Sequence, residues 1–255
     1  MRIVRGGFDL PTIKIDGIQI HYVQEGSGSD VILLHGWGQN TEMMQPVMDH
    51  LKHAHRVVSL DFPGFGQSED PGRAYGVADY AALLRQLIEK LEINNPVLIG
   101  HSFGCRVAIH YASTYPVAKM ILTGAAGLRS KRTLRYYVRI YTFKSLKWCC
   151  RLLGMKRLEE KLRKYFGSSD YKNTSGVMRE TFVKVVNDDV KPLLGSLSMP
   201  VLLVFGDRDD QTPLWMGETM EKLIPNAGLA VFEGSGHYAY LEQLQRFLKV
   251  CDVFL

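Results

Sequence analysis

The turn from Gly100 to Gly104 restricts the possible folds of this chain more than any other segment. It has the pattern Gly-x-Ser-x-Gly, and it joins the apolar run Val97–Ile99 to a helix-type run at 106–112. A serine at so sharp a strand-to-helix turn has a strained backbone, and the flanking glycines permit that turn sterically. The helix that follows directs its unpaired N–H groups and its positive end at the same serine. The pattern therefore predicts that Ser102 is a displayed nucleophile rather than a surface residue in an ordinary turn.

A nucleophilic serine needs a base, and the positions of the histidines leave one candidate. Proteins that display a serine at this kind of turn carry their triad in the chain order serine, acid, histidine. Seven of the eight histidines lie at or before residue 110, so only His237 satisfies that order. It lies in a glycine-flanked loop after the apolar run Leu229–Phe232, from which it can reach the carboxyl ends of a sheet. We therefore predict that His237 is the base.

Three carboxylates compete for the role of the acid. A buried β-type run ends at Gly206, and the polar loop that begins there contains Asp207, Asp209 and Asp210. The acid must accept a hydrogen bond from the imidazole, hold its tautomer and stabilise the imidazolium that forms. Spacing alone does not choose among the three.

Five motifs, spread over nearly the whole chain, follow one another in a recognisable order. They are His35–Gly38 with the pattern H-G-x-G, Asp61–Ser68 with D-x-P-G-x-G-x-S, Gly100–Gly104, Gly206–Pro213 with G-x-x-D-x-x-x-P, and Gly236-His237. In these motifs the chain resembles the α/β-hydrolase superfamily, in its compact, cap-bearing branch of esterases, lipases and carbon–carbon bond hydrolases. The resemblance implies that Asp209, four residues before Pro213, is the acid. Cys105 departs from the pattern, which often has a second glycine there, but a cysteine is small enough to pack against the sheet.

The same resemblance implies an oxyanion hole and a substrate-binding surface. The backbone N–H groups of Trp37 and Phe103 would stabilise the negative charge of an acyl-transfer transition state. Their side chains would help to line the acyl pocket. We also expect Tyr137, Tyr141 and Tyr238 to contact the substrate. His35 is interpreted as a structural brace of the oxyanion loop.

Composition and periodicity agree with one α/β domain that carries an insertion. The chain has 255 residues, of which 46% are hydrophobic and 22% charged, as in ordinary globular proteins. Strand and helix patterns alternate, which predicts a mainly parallel sheet with helices on both faces after an opening antiparallel pair. The predicted parallel strands lie near Val31–His35, Val57–Asp61, Val97–Ile99, Lys119–Thr123, Val201–Phe205 and Leu229–Phe232. The predicted helices span 76–92, 103–115, 214–224 and 238–254. We predict an α/β-hydrolase core domain at 1–127 and 196–255, with a helical cap at 128–195.

Several classes of site and location are disfavoured by the sequence. No run of about 18 apolar residues occurs, the first residues lack a signal-peptide stretch, and the four cysteines have no framework spacing. We therefore expect a cytoplasmic protein with reduced thiols. No nucleotide-binding pattern occurs, and His50, His53 and His55 are interpreted as a solvated helix end rather than a metal site. We expect neither a metal nor a cofactor, and no nucleic-acid partner.

The segment 128–195 is strongly basic. It contains 17 Lys and Arg against 6 Asp and Glu, a net charge of +11, whereas the rest of the chain carries −6. Apolar residues recur within it at helical spacing, among them Tyr137, Val138 and Tyr141. Three interpretations compete: the stripe packs over the active site as a lid, it rests on an anionic membrane, or the charge steers an anionic substrate.

The predicted function is hydrolysis of a carboxylic ester through an acyl-enzyme on Ser102. A lipid or monoacylglycerol-type ester is the leading substrate class. Relatives with the same triad also hydrolyse carbon–carbon bonds in vinylogous diketones, and others act as ligand sensors with negligible turnover. These alternatives, and the oligomeric state, stay open from the sequence.

Overall fold

The computed structural model describes residues 11–129, 134–152, 154–155, 171 and 174–255 of the chain. Its strands are β1 Thr12–Ile15, β2 Ile18–Glu25, β3 Ser29–Leu34, β4 His55–Leu60, β5 Val97–His101, β6 Lys119–Thr123, β7 Val201–Gly206 and β8 Ala227–Phe232. The first two form the expected hairpin. Asp16 and Gly17 connect them with φ angles of 50° and 85°, the left-handed pair that a tight hairpin turn requires.

The strands form one sheet in the order β1-β2-β4-β3-β5-β6-β7-β8. β2 pairs antiparallel with both β1 and β4, and every pair from β4 across to β8 is parallel. The mainly parallel α/β sheet predicted from the sequence is confirmed. The chain order reverses between β3 and β5, which are neighbours in the sheet. Ligands of open parallel sheets bind outside the carboxyl ends of the strands at such a reversal.

Helices cover the sheet on both faces. Those that the structure describes are α1 Gln45–Leu51, α2 Val77–Lys90, α3 Phe103–Ala112, α4 Leu134–Leu152, α5 Gly176–Asn187, α6 Lys191–Leu194, α7 Leu214–Leu223, α8 Ala239–Glu242 and α9 Leu244–Phe254, with a 3-10 turn at Thr41–Met44. The sequence patterns missed α1. They also predicted one helix over 238–254, but Gln243 has non-helical angles and divides it in two. The Gln243 side chain instead donates to Glu233 O and Ser235 Oγ.

Two hydrophobic cores lie on opposite faces of the sheet because successive strand residues point in opposite directions. In β3, Ile32 and Leu34 belong to the core beneath α2 and α3, whereas Val31 and Leu33 belong to the core beneath α1 and α9. All four side chains are fully buried. A strand buried on both faces reads as a continuous apolar run, which is how β3, β5 and β7 were recognised in the sequence.

The chain between β6 and β7 carries α4, α5 and α6. Its α5 lies against the core, since Thr181 Oγ1 accepts a hydrogen bond from Tyr75 N at 3.0 Å. The Phe182 ring contacts the Trp37 ring at a centroid distance of 5.1 Å. Assignment of the whole segment 128–195 as a cap stays a prediction. Within the described ranges, no helix is long and apolar enough to cross a membrane.

Candidate active site

Ser102 occupies a strained turn between β5 and α3. Its φ of 50° and ψ of −105° lie in a region that side-chain-bearing residues rarely adopt. Gly104 makes the turn possible, because a Cβ there would lie 2.2 Å from the backbone oxygen of Leu34. At Gly100 a Cβ would lie 2.9 Å from Cys105 N. The two glycines of the motif therefore let the start of α3 approach the sheet.

The expected oxyanion donors lie at the reversal point of the sheet. Trp37 is in the loop after β3, and Phe103 is the first residue of α3. Gly36 N donates to Gln39 Oε1 at 2.9 Å, which shapes the loop that carries Trp37. Within the described ranges, no backbone carbonyl accepts a hydrogen bond from the N–H of Trp37 or Phe103. Both donors are thus free of backbone partners.

His237 and Asp209 form a buried hydrogen-bonded pair. His237 Nδ1 donates to Asp209 Oδ2 at 2.8 Å. The loop after β8 brings the imidazole across the sheet, and a Cβ on Gly124, which follows β6, would lie 3.3 Å from the ring. The pair therefore lies beside the end of β5, where Ser102 begins its turn.

Asp209 is held by more donors than the imidazole alone. Its Oδ1 accepts from Gln211 N and Thr212 N, each at 2.8 Å, and its Oδ2 accepts from Thr212 Oγ1 at 2.6 Å. Burial acts to raise the pKa of this carboxyl, but the hydrogen bonds from His237 and Thr212 outweigh it and lower the pKa. Asp209 is therefore an anion wherever the protein is folded at neutral pH.

The two competing carboxylates lie elsewhere. Asp207 is exposed and accepts a hydrogen bond from Gly234 N at 2.7 Å, so it shapes the loop after β8. Asp210 is exposed. Among the three aspartates of this loop, Asp209 contacts the imidazole. Thr212, which the sequence analysis missed, is the side chain that completes the pair, and the G-x-x-D-x-x-x-P motif containing it was the available signal.

His101 links the serine turn to the histidine loop. It is fully buried, and its Nε2 donates to the carbonyl oxygen of His237 at 3.1 Å. Its ring lies 4.8 Å from that of His237 and 5.1 Å from that of Tyr238. Burial, and to a smaller extent the nearby His237, lower the pKa of His101 to about 3. The neutral His101 thus fixes the backbone of His237, the candidate base, through this hydrogen bond.

His35 is a neutral brace beneath the oxyanion loop. Its Nδ1 donates to Gly36 O at 2.7 Å, and its Nε2 accepts from Phe62 N at 3.0 Å. Burial lowers the pKa of His35 to about 4, although its bond to Gly36 opposes that shift. Both ring nitrogens are committed to backbone atoms, which matches the structural role expected for His35.

Two cavities meet at Trp37. One of about 360 Å³ is lined by Trp37, Ser102, Phe103, Arg106, Ala126, Phe182, Val185 and Val186. The other, of about 570 Å³, is lined by Trp37, Gly38, Gln39, Gly64, Phe65, Asp70, Thr174, Ser175, Met178 and Tyr238. The first contains the serine and is mostly apolar, whereas the second carries several polar side chains. The site can therefore accept an apolar group and a polar group on either side of Trp37.

A family model described as alpha/beta hydrolase fold matches residues 31–244 of this chain. The chain belongs to the α/β-hydrolase fold family. This match covers all five motifs from which the resemblance was inferred. The recognition made from the sequence is confirmed, and the protein is a hydrolase.

Relatives of this hydrolase include a methyl ester esterase and a dienoate hydrolase. The chain is 27% identical over 263 residues to the pimeloyl-[acyl-carrier protein] methyl ester esterase of Aliivibrio salmonicida, covering 92% of this chain and 98% of that protein. It is 28% identical over 276 residues to the 2-hydroxy-6-oxo-6-phenylhexa-2,4-dienoate hydrolase of Comamonas testosteroni, covering 92% and 91%. The solved esterase of Exiguobacterium antarcticum superposes with a TM-score of 0.75 at 23% identity, covering 96% of this chain and 98% of that one.

Three of the residues expected to contact substrate line the two cavities of this α/β hydrolase, and one does not. Trp37 lines both cavities, Phe103 lines the first and Tyr238 the second. Tyr141 is 62% exposed and lines neither cavity. The side chain of Tyr137 lies outside the described part of the chain.

The cysteines and the histidines near residue 50 do not belong to the candidate catalytic site. The Cys105 thiol is fully buried, donates to Gly100 O at 3.1 Å, and has its pKa raised by burial. The four cysteines are free thiols. His50 Nε2 bonds Asp252 at 2.6 Å, whereas His55 is the first residue of β4, so its interpretation as a helix end was wrong. Within the described ranges, no group of three or more His, Cys, Asp or Glu side chains could hold a metal ion.

Proposed function

We propose that this protein hydrolyses a carboxylic ester with Ser102 as nucleophile, His237 as base and Asp209 as the orienting acid. The observation that carries the proposal is the 2.8 Å hydrogen bond from His237 Nδ1 to Asp209 Oδ2 beside the strained Ser102 turn. It places the Nδ1 proton toward Asp209 and leaves Nε2 as the proton acceptor. A serine hydroxyl becomes an effective nucleophile only with such an acceptor in reach.

The reaction proceeds in two acyl-transfer steps. Ser102 Oγ attacks the ester carbonyl while His237 Nε2 takes its proton, and the tetrahedral intermediate expels the alcohol, which receives that proton. Water then attacks the acyl-enzyme, His237 takes its proton, and the acid leaves as Ser102 is re-protonated. The N–H groups of Trp37 and Phe103 bind the oxyanion in both steps. Each such donor contributes about 2.7–4 kcal/mol of transition-state stabilisation.

The two cavities support an assignment of the two halves of the substrate. The apolar cavity contains Ser102, so it suits an acyl chain attached to the reacting carbonyl. The cavity with Gln39, Asp70 and Thr174 suits a polar alcohol. An ester of a short or medium acyl chain with a polar alcohol, such as a monoacylglycerol, fits this division.

A chain-length series of 4-nitrophenyl esters tests the proposal. We expect turnover of the shorter esters that falls as the chain outgrows the apolar cavity, and loss of turnover in Ser102→Ala. Ser196→Ala is the matched control, because Ser196 lies exposed just after α6 and its hydroxyl donates to Leu193 O. Ester binding without turnover of any ester would instead favour a ligand sensor.

Carbon–carbon bond hydrolysis is the second candidate reaction. The 28% identity to the Comamonas testosteroni hydrolase over most of both chains favours it. The same triad would release a carboxylic acid from a vinylogous diketone. Loss of the dienol chromophore of that relative's substrate, at a rate above that of any ester, would make this the main activity.

We also propose that α4 contacts an anionic lipid surface. The helix exposes Val138, Trp148 and Leu152, the last two to 64% and 65%. These residues follow the spacing of one helix face, and α4 contains five Lys or Arg and no Asp or Glu. An amphipathic basic helix binds in the plane of an anionic interface, and each basic residue near it adds about 1 kcal/mol. A second copy of this face would be repelled by its like charge.

Vesicle flotation tests this contact. We expect binding to phosphatidylglycerol vesicles at low salt, none to phosphatidylcholine vesicles, and loss of binding in Trp148→Ser/Leu152→Ser. Trp215→Ser is the matched control, since Trp215 is an exposed tryptophan on α7 of the core. Equal binding by both variants would refute the contact, and so would a concentration-dependent dimer that the double variant abolishes.

A further inference from the structure

A buried arginine lies in the cavity that contains the candidate nucleophile. Arg106 is four residues after Ser102 on α3 and lines the same cavity of about 360 Å³. Its side chain is only 11% exposed. The other side chains of that cavity, apart from the serine, are aromatic or aliphatic. In a pocket that bound only hydrocarbon, burying a guanidinium would cost desolvation free energy with no contact from the substrate to offset it.

The partners of Arg106 leave most of its donors unused. One Nη1–H donates to the backbone oxygen of Asp188 at 2.9 Å. The carboxylate oxygen Asp188 Oδ2 is 4.0 Å away, and the same oxygen is bonded by His110 Nε2 at 3.0 Å. Within the described ranges, the Arg106 side chain forms no further hydrogen bond. A guanidinium has five N–H donors in a planar fork, so a complete partner would be a carboxylate bound through two oxygens.

The position of Arg106 on α3 is electrostatically unfavourable without an anion. The first turn of a helix carries the positive end of its dipole, which disfavours a cation there. Burial also acts on the side chain: it lowers the pKa of Arg106, and the charges of Asp188 and Asp189 only partly offset this. Because arginine stays protonated in proteins, a charge that Asp188, at 4.0 Å, only partly offsets remains in the cavity.

The geometry relates the guanidinium to the reacting carbonyl. Four residues advance a helix by about 6 Å, and helical side chains lean toward the N-terminus. Arg106 therefore lies about one helical turn from Ser102 and lines the same cavity, with its Nη1 bonded to the backbone oxygen of Asp188. An anion that contacts Arg106 and a carbonyl held at Ser102 would then occupy the same cavity.

We propose that Arg106 binds a carboxylate at the far end of the acyl chain, so that the preferred substrates are monoesters of dicarboxylic acids. This inference rests on the ester hydrolysis proposed above. The net charge of +11 on the segment 128–195 would raise the local concentration of such anionic substrates at the cavity. Arg106 is thus the residue that sets specificity, through a contact to the substrate that the triad does not make.

Two methyl esters with the same six-carbon acyl chain measure this specificity. Monomethyl adipate carries the terminal carboxylate, and methyl hexanoate lacks it; methanol release gives kcat/KM for each. We expect the native protein to prefer monomethyl adipate at least tenfold. In Arg106→Gln the ratio of the two values should fall about tenfold to hundredfold, the range for a hydrogen bond to a charged group. Arg106→Lys should retain part of the preference, because the charge stays but the fork is lost.

His110→Gln is the control for a purely structural role. It breaks the other side-chain bond to Asp188 and leaves Arg106 in place. If Arg106 only anchored the Asp188 segment, both variants would change the two esters equally and the ratio would stay constant. A constant ratio in Arg106→Gln, or no preference in the native protein, overturns the proposal.

A binding measurement separates this inference from the proposed reaction. In Ser102→Ala protein, adipate and hexanoate are titrated while the fluorescence of Trp37, which lines the cavity, is followed. We expect adipate to bind at least tenfold more tightly, and Arg106→Gln in the same background to remove the difference. Should no ester be hydrolysed, this result would still support the carboxylate site while the ester reaction failed. Equal affinities would refute the site whatever the reaction.

Discussion

Asp209→Asn isolates the orienting role of the acid, because it changes one oxygen to an NH2 group with little change of volume. Asp209 Oδ1 faces two backbone donors, Gln211 N and Thr212 N, each at 2.8 Å. The asparagine must keep its oxygen there, which turns its NH2 group toward His237 Nδ1. That nitrogen must then accept a hydrogen bond, so the proton moves to Nε2 and the imidazole no longer accepts the Ser102 proton.

The expected loss is large and specific to catalysis. A wrong-tautomer histidine in a triad lowers kcat about 10⁴-fold, which corresponds to about 5.4 kcal/mol of activation free energy. We would measure kcat with 4-nitrophenyl butyrate and confirm folding by urea unfolding. Asp207→Asn is the matched control, since Asp207 is exposed and its carboxylate accepts from Gly234 N, and kcat should fall less than threefold. If Asp209→Asn kept a tenth of the native kcat, Asp209 would not orient the base.

Three further predictions concern stability. Thr212→Val removes the hydroxyl that donates to the buried Asp209 carboxylate, and should lower the free energy of unfolding by about 1.5–3 kcal/mol in urea titrations. Gly104→Ala places a methyl group 2.2 Å from a backbone oxygen of β3, and should cost at least about 3 kcal/mol or prevent folding. Burial lowers the pKa of His35 to about 4 and of His101 to about 3, so the unfolded chain takes up protons first as the pH falls below about 6.5. The free energy of unfolding should therefore fall by about 1.4 kcal/mol per pH unit for each histidine between pH 6 and 4.

Matched variants give each of these stability predictions a result that contradicts it. Thr219→Val removes an exposed hydroxyl that bonds Trp215 O, and an equal loss there would show that Thr212 has no special role. Gly72→Ala adds a methyl group in open space, so it should be nearly neutral. A Gly104→Ala protein of native stability would contradict the close approach of α3. His101→Gln should remove one histidine's share of the pH slope, and an unchanged slope would contradict its buried neutral state.

The sequence was informative wherever a local pattern has one steric or energetic explanation. The glycines at Gly100 and Gly104 are required by backbone atoms within 3 Å of where a Cβ would stand, so the motif itself reports the turn. The alternation of apolar runs with helical periods reports a parallel sheet, because each buried strand must be covered on both faces. The bounds of the strands and of most helices follow from these two kinds of signal.

Features that depend on contacts between distant parts of the chain were harder to predict from the sequence. Helix α1 was missed because its seven residues are too few to show a helical period, and it is held by burial of Val47, Met48 and Leu51. Among the three aspartates of the acid loop, spacing left the choice open. The family resemblance implied Asp209, and in the folded chain the N–H groups of Gln211 and Thr212 and the His237 imidazole surround its carboxylate.

The chain order and the motif glycines were sufficient to predict the fold, the turn that displays Ser102 and the one eligible histidine, since these depend on contacts between near neighbours. The partner of that histidine, the two cavities and the presence of Arg106 beside Ser102 depend on side chains brought together from distant segments. Tyr141 shows the same limit. Its helical spacing placed it on an apolar stripe and we expected it to contact substrate, but its side chain is 62% exposed. Periodicity reports which face of a helix is apolar, but which surface that face meets is set by the packing of the whole chain.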